Sequence, residues 1–160
     1  ILTVTIFEGD NPNDNLYITE VMYSPQSNGF DYEWVEFYNP NDIAIFVNSW
    51  TIADNEQKDN IVSEENEIIT IPAKSVGILT SSPATFRETY VNYKYVFSVE
   101  DVAIGNGLGT SETIILAKNS YNDVFTYTSE DGANGNGKTL ARSCYNCADW
   151  NEAVSSPGTI

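Results

Sequence analysis

There is no histidine anywhere in the 160 residues of this chain. That removes the commonest general base, the usual nitrogen ligand for a metal and the side chain that titrates near neutral pH. Basic residues are scarce too: seven Lys and Arg stand against 23 Asp and Glu, a formal net charge of −16. Phosphate backbones are held by Lys and Arg that displace counterions, so nucleic acid is not an expected partner. No apolar stretch reaches the roughly 20 residues a membrane-spanning helix needs, and membrane insertion is not expected either. Cysteine is limited to Cys144 and Cys147 in the stretch C-Y-N-C. Half a zinc site stands there without its second half. A redox pair would want a thioredoxin-like setting that the pattern lacks. A short-loop disulfide and two idle thiols are the readings left; the disulfide is the one we take, and it suits an oxidising compartment. The sequence has no N-x-S/T acceptor, and helical periodicity is nearly missing.

What is present is β-forming. Short runs rich in Ile, Val, Tyr, Phe and Thr alternate with Gly, Pro, Asn and Asp. They predict strands over residues 2–8, 17–23, 33–38, 44–47, 50–53, 68–71, 75–79, 93–99, 113–117, 124–128 and 139–142. One helical turn is expected over 82–90, where Ser82 precedes Pro83 as cap and first helical residue. Length and a hydrophobic content of 41% allow one domain with a two-layer core. Many short strands with turn signals between them predict an all-β sandwich. Within Glu33-Trp34-Val35-Glu36-Phe37-Tyr38, alternation puts Val35 and Phe37 on the core face and Trp34, Glu36 and Tyr38 on the other.

Several fragments follow one another in a telling order: YITEVMYSP from Tyr17, DYEWVEFYNP from Asp31, WTIAD from Trp50, IPAK from Ile71, GKTLAR from Gly137, then Trp150 and Pro157-Gly158. Over residues 16–158 this series resembles the lamin tail domain family, in the form found in surface and secreted proteins of bacteria and archaea. The resemblance implies an immunoglobulin-like β-sandwich and a non-enzymatic role; the opening residues, outside the resemblance, are read as an extra N-terminal β-strand. Animal members are interaction modules, some of which touch DNA or chromatin; a net charge of −16 argues against carrying that over. The chain departs from the family at Leu108-Gly109-Thr110-Ser111-Glu112, where the expected hairpin is one residue short, and at the Cys144–Cys147 insert. Both fall in loops, where partner specificity resides.

Carboxylates are the remaining chemistry. Glu20 and Glu36, on early neighbouring strands, match paired acids of the family. Two carboxylates invite a glycosidase reading, one acid and one base, but neither nucleophile nor cofactor motif accompanies them. The ordinary reading is that they bond backbone groups or Tyr hydroxyls at a strand end. Acids also cluster at Asp10 to Asp14, at Asp54 to Asp59 and over residues 63–67. Calcium takes six to eight oxygens from flexible loops, so it is the cofactor left open, with Asp10 and Asp14 as candidate ligands. None of the clusters has EF-hand spacing, and solvated charge is the ordinary explanation.

The first fifteen residues, ILTVTIFEGDNPNDN, divide into a strand over 1–8 and a polar linker over 9–15, ahead of the sandwich at 16–160. Leu2, Val4 and Ile6 share one face of that strand, and Phe7 lies on the other. Burying such aliphatics stabilises by roughly 1.5–3 kcal/mol each, while ordering the backbone costs about 1–2 kcal/mol per residue. The strand therefore needs a hydrogen-bonded ladder and a groove. It can fold back on its own sandwich, or insert into the next molecule as a pilin donor strand does. We take the second reading, with Leu2, Val4, Ile6 and Phe7 as subunit-interface residues. The chain opens on Ile and not Met, which reads as a processed or excised product. The expectation is an extracellular structural protein that polymerises head to tail with copies of itself. A monomeric cell-surface binding or adhesion module, with surface or cell ligands and calcium, is the alternative.

Overall fold

A computed structural model of the chain describes residues 14–26, 29–64 and 69–159. Their strands are β1 (Tyr17–Met22), β2 (Trp34–Asn39), β3 (Ile45–Phe46), β4 (Thr51–Ala53), β5 (Lys58–Val62), β6 (Thr70–Ile71), β7 (Ser75–Thr80), β8 (Val96–Val99), β9 (Ser111–Lys118), β10 (Tyr121–Thr128), β11 (Lys138–Arg142) and β12 (Trp150–Val154). One helix, α1 (Pro83–Thr89), starts at Pro83 as expected. The expected strand over 2–8 and most of its linker lie outside the described residues.

Two strands escape the alternation rule. Strand β5 reads Lys58-Asp59-Asn60-Ile61-Val62, a sequence of low β-propensity. It forms because Ile61 is buried in the core and β4 pairs along it through Thr51↔Asn60, Ile52↔Asp59 and Ala53↔Lys58. Strand β12 is held by five register pairs with β11, from Lys138↔Val154 to Arg142↔Trp150. In both, pairing outweighs composition. The stretch Leu108 to Glu112 is not a hairpin: it carries the chain into β9, and the hairpin is β9–β10, closed at Lys118↔Tyr121.

Ten strands make one ladder in the order β10-β9-β4-β5-β8-β7-β2-β1-β11-β12, and β3 pairs β6 separately. The family of four strands from β10 to β5 faces the six from β8 to β12. A short contact, Ile61↔Val99 and Val62↔Ser98, runs the two layers together, so the immunoglobulin-like sandwich is a single curled sheet. Strands β7 and β8 are parallel, and α1 is the crossover that a parallel pair requires.

The main core lies between the layers and includes Val35, Phe37, Leu79, Phe97, Ile52, Ile114 and Leu116, all fully buried. Trp34 and Glu36, on the opposite face of β2, are equally buried, at 1% and 0% exposure. Helix α1 lays Phe86 across Trp34 at 5.9 Å edge to face, making a second cluster with Met22, Ile78 and Val96. The outer face of this layer is thus covered and not solvated.

Gly77 shows how tightly the core closes. It stands opposite Phe37 in the β2–β7 register. A Cβ there would come within 2.8 Å of Phe37 Cζ and 3.0 Å of the Phe97 ring. Overpacking of this kind costs roughly 1–3 kcal/mol. Gly77→Ala is expected to lower the unfolding free energy by that amount, seen as a lower urea midpoint with an unchanged m-value in equilibrium unfolding.

Candidate functional site

The paired acids are set by a defect in the ladder. Strand β1 pairs β2 at Ile18↔Phe37 and then at Glu20↔Glu36, with a register shift between the two. A bulge adds one residue to one strand and turns the side chains beyond it. Here Ile18 and Val21 both reach the core while Thr19 and Glu20 turn to the outer face. Glu36 is 0% exposed and Glu20 2%.

Buried carboxylates need donors, and this pair has five. Thr19 Oγ1 donates to Glu36 Oε1 at 2.6 Å and Gly158 N to Glu36 Oε2 at 2.5 Å. Thr139 Oγ1 and Ser156 N donate to Glu20 Oε1 at 2.5 and 2.9 Å, and Ser156 Oγ reaches Glu20 Oε2 at 3.4 Å. Residues 155–159 are drawn across the outer face as a latch, with Pro157 buried and Ser155 Oγ bonded to Tyr90 of the helix end at 2.6 Å. Gly158 has a φ of +85°, and a Cβ on it would meet the Tyr93 ring at 2.8 Å. Burial pushes Glu36 up to about 7, against the lowering effect of Thr19 and Gly158, and also raises Glu20. The arrangement is a structural clamp. The hydroxyls and N–H groups of Thr19, Thr139, Ser156 and Gly158 are turned to the two carboxyls as their donors.

A second set of acids does the same work elsewhere. Asp59 Oδ2 accepts from Gly105 N at 2.6 Å, Asp54 Oδ2 from Asn106 N at 2.8 Å, and Glu33 Oε2 from Leu108 N at 2.9 Å. Three carboxylates thus pin the loop that leads into β9. Gly105 is required there: its φ is +58°, and a Cβ would collide with the Asp54 carboxyl at 2.1 Å. Burial, with Asp54 adding to it, pushes Glu33 up to about 8 despite the Leu108 N–H. The acidic segment Asp54 to Asp59 is therefore an internal acceptor set. Glu64, from the next cluster, pairs with Arg87 at 2.7 Å. Among the described residues no group of three or more acid or Cys side chains is placed to hold a metal. Asp14 faces Lys118 at 3.3 Å, and Asp10 lies outside the described residues, as do Leu2, Val4, Ile6 and Phe7.

Cys144 and Cys147 are joined in a disulfide. It closes a loop whose Tyr145 packs on Tyr17 and Tyr38, at 5.4 and 5.2 Å between ring centres. Arg142, at the end of β11, donates to Tyr145 O at 2.9 Å and pairs with Asp123 of β10 at 3.0 Å. Asp123 also accepts from Ile18 N at 2.8 Å, so one carboxylate ties β10 to β1 and β11 where β11 leaves the β1 ladder. Beyond that tie the sheet gapes. A cleft of about 740 Å³ runs between β10 and β12, with Val124 and Phe125 on one side and Trp150 and Asn151 on the other. Phe125 and Trp150 stack across it at 3.5 Å.

The Lamin Tail Domain family model matches residues 10–141 of the chain, more than three-quarters of it. The chain belongs to the lamin tail domain family. No curated protein and no solved structure matches it. The lamin tail match takes in Glu20, Glu36 and the loop-pinning acids, but stops before the disulfide loop, β12 and the latch. Sequence reasoning singled out the glutamate pair and missed its donors Ser156 and Gly158, for which no local signal exists. The aromatic neighbours of Glu36 on its own face, Trp34 and Tyr38, were the one available hint that it is buried.

The acids raised by burial fix the pH dependence of stability. Glu33 and Glu36 hold their protons in the folded chain up to about 8 and about 7, whereas the unfolded chain releases them near the usual carboxylate value. Folding is therefore favoured below that value, and each group loses roughly 1.4 kcal/mol per pH unit as the pH rises toward its folded value. Glu152, held down to about 2 by the Ala133 N–H and Lys138, works the other way at the acid end. Urea midpoints are expected to fall steadily from pH 5 to pH 8.5. Glu33→Gln, which keeps an acceptor for Leu108, is expected to flatten the upper half of that profile. A midpoint that rises across the window would refute the assignment.

Proposed function

We propose that this lamin tail domain is a structural subunit, and that it assembles head to tail into an extracellular, pilus-like filament by giving its first strand to the next copy. The observation that carries the reading is the pair of sheet ends. Among the described residues β10 and β12 are each paired on one side alone, and a strand end of this kind is a template for another chain. The first strand, with Leu2, Val4 and Ile6 along one face, is the segment of this sequence that needs such a template. A head-to-tail contact does not close on itself and so propagates as a fibre. The acids offer no competing chemistry, since the buried ones are committed to backbone N–H groups and hydroxyls.

Electron microscopy of the purified chain beside a Val4→Asp/Ile6→Asp variant tests this. Filaments are expected from the first and monodisperse, folded particles from the second. Polymers that survive the double substitution would sink the donor-strand reading, and particles from both would favour a monomeric binding module.

A further inference from the structure

We infer that the cleft between β10 and β12 is the acceptor site, and that its occupant is the first strand of a second copy; this rests on the assembly reading above. The cleft is bracketed by two sheet ends and not by one. Strand β10 runs in unbroken register with β9 from Tyr121↔Lys118 to Thr128↔Ser111. It carries no Lys, Pro or bulge, the usual means of blunting an edge. Its one charge, Asp123, is turned to Arg142 and Ile18. Strand β12 is similar: its one charge, Glu152, is held by Ala133 N, Asn136 and Lys138. Val124, which lines the cleft, is 46% exposed. The floor between the two strands is the Phe125–Trp150 stack, with the Arg142 guanidinium 5.0 Å from the Trp150 ring centre. An extended segment laid here would find ladder partners on both sides and an aromatic floor for every second side chain.

Charge selects the occupant. Asp131 and Asp149 line the cleft, and two copies of net charge −16 repel across almost any pair of surfaces. Ile1 to Phe7 is free of charged side chains, so it enters without like-charge opposition. The point of departure favours a neighbour over the same molecule. Asp14 is paired with Lys118 at the β9–β10 hairpin, and Asn15 O accepts from Asn41 Nδ2 at 2.8 Å, fixing the linker at the end of the sandwich. There Tyr121 OH binds Leu16 O and Asp123 binds Ile18 N, so the start of β1 already flanks the first residues of β10. A strand folding back would have to reverse within residues 9–13 and clear this flank, whereas one continuing outward meets the next copy.

The test is a Val4→Cys/Val124→Cys variant of the full chain, oxidised during assembly, with each single variant as control. A ladder of covalent multimers is expected, with peptides containing positions 4 and 124 linked and no ladder from either single variant. Filaments without that linkage would overturn this acceptor site and leave the assembly reading standing. Absence of both filaments and multimers would overturn both, and a linkage confined to monomers would place the strand in its own cleft and overturn the second copy as occupant. Amide exchange on the unmodified chain reads the same contact independently of folding in the double-Cys variant. Added protection of those amides between Val124 and Thr128 that point away from β9 is expected in the polymer and lost in Val4→Asp/Ile6→Asp; equal exchange of these amides in the two would overturn the proposal.

Discussion

Glu20 and Glu36 stand opposite one another on adjacent strands, both shut away from water, and their oxygens must be satisfied from within the protein. Much of the architecture around them follows from that constraint. The bulge in β1 is needed to bring Thr19 and Glu20 to the same face while Ile18 and Val21 stay in the core. The latch over residues 155–159 is needed because three of the five donors, the N–H groups of Ser156 and Gly158 and the Ser156 hydroxyl, come from it. Once the latch is in place it meets the end of α1 through Ser155 and Tyr90, and the helix in turn covers Trp34. One pair of carboxylates thereby organises the whole outer face of the β7-β2-β1-β11 layer. Deleting either carboxylate would leave N–H and O–H donors unpaired in a dry site, a cost of roughly 1–3 kcal/mol for each.

The same economy governs the rest of the acids. A formal charge of −16 suggests a uniformly repelling surface, yet Glu20, Glu33, Glu36, Asp54 and Asp59 are buried and act as acceptors. They replace backbone partners where strands end and loops begin, around β1, at the entry to β2 and along the loop into β9. What remains outside is still strongly acidic and keeps copies apart. The assembly proposed above would run through a segment without charge, and the first seven residues are such a segment.

Strand type, the start of the helix at Pro83, and Val35 and Phe37 in the core were legible in the sequence, because alternation and turn residues act locally. The run from Trp34 to Tyr38 was half legible: alternation separates its faces but cannot say that a helix and a latch will bury the second one. Strand β5 was illegible, since Asp59 and Asn60 look like loop residues until Gly105 is seen donating to Asp59 across the fold. The glutamate pair could be named but not its partners, which lie more than 115 residues away in sequence at Thr139, Ser156 and Gly158. Long-range hydrogen bonds leave no periodic trace.

The boundaries of the family match sharpen the physical picture. Residues 10–141 carry the lamin tail sandwich, and that stretch ends within β11, whose free side β12 then occupies. Strand β12 moves the end of the ladder outward by one strand and stacks Trp150 on Phe125. Without it, β11 would be the edge, and the Phe125 ring would lose its stacking partner. The disulfide loop fixes Tyr145 and with it Arg142, whose bond to Asp123 sets where the gap between β10 and the β11–β12 side begins. The segment after residue 141 therefore builds one wall of the cleft, the latch closes the outer face, and the segment before residue 10 carries the run Ile1 to Phe7 without charged side chains. The family sandwich supplies the opposite wall, β10, and the rigid frame. On the proposed assembly, the donor segment and the β12 wall of its acceptor would both lie outside the shared sandwich and could change together without disturbing its core, which is the condition for a common fold to acquire an assembly role of its own.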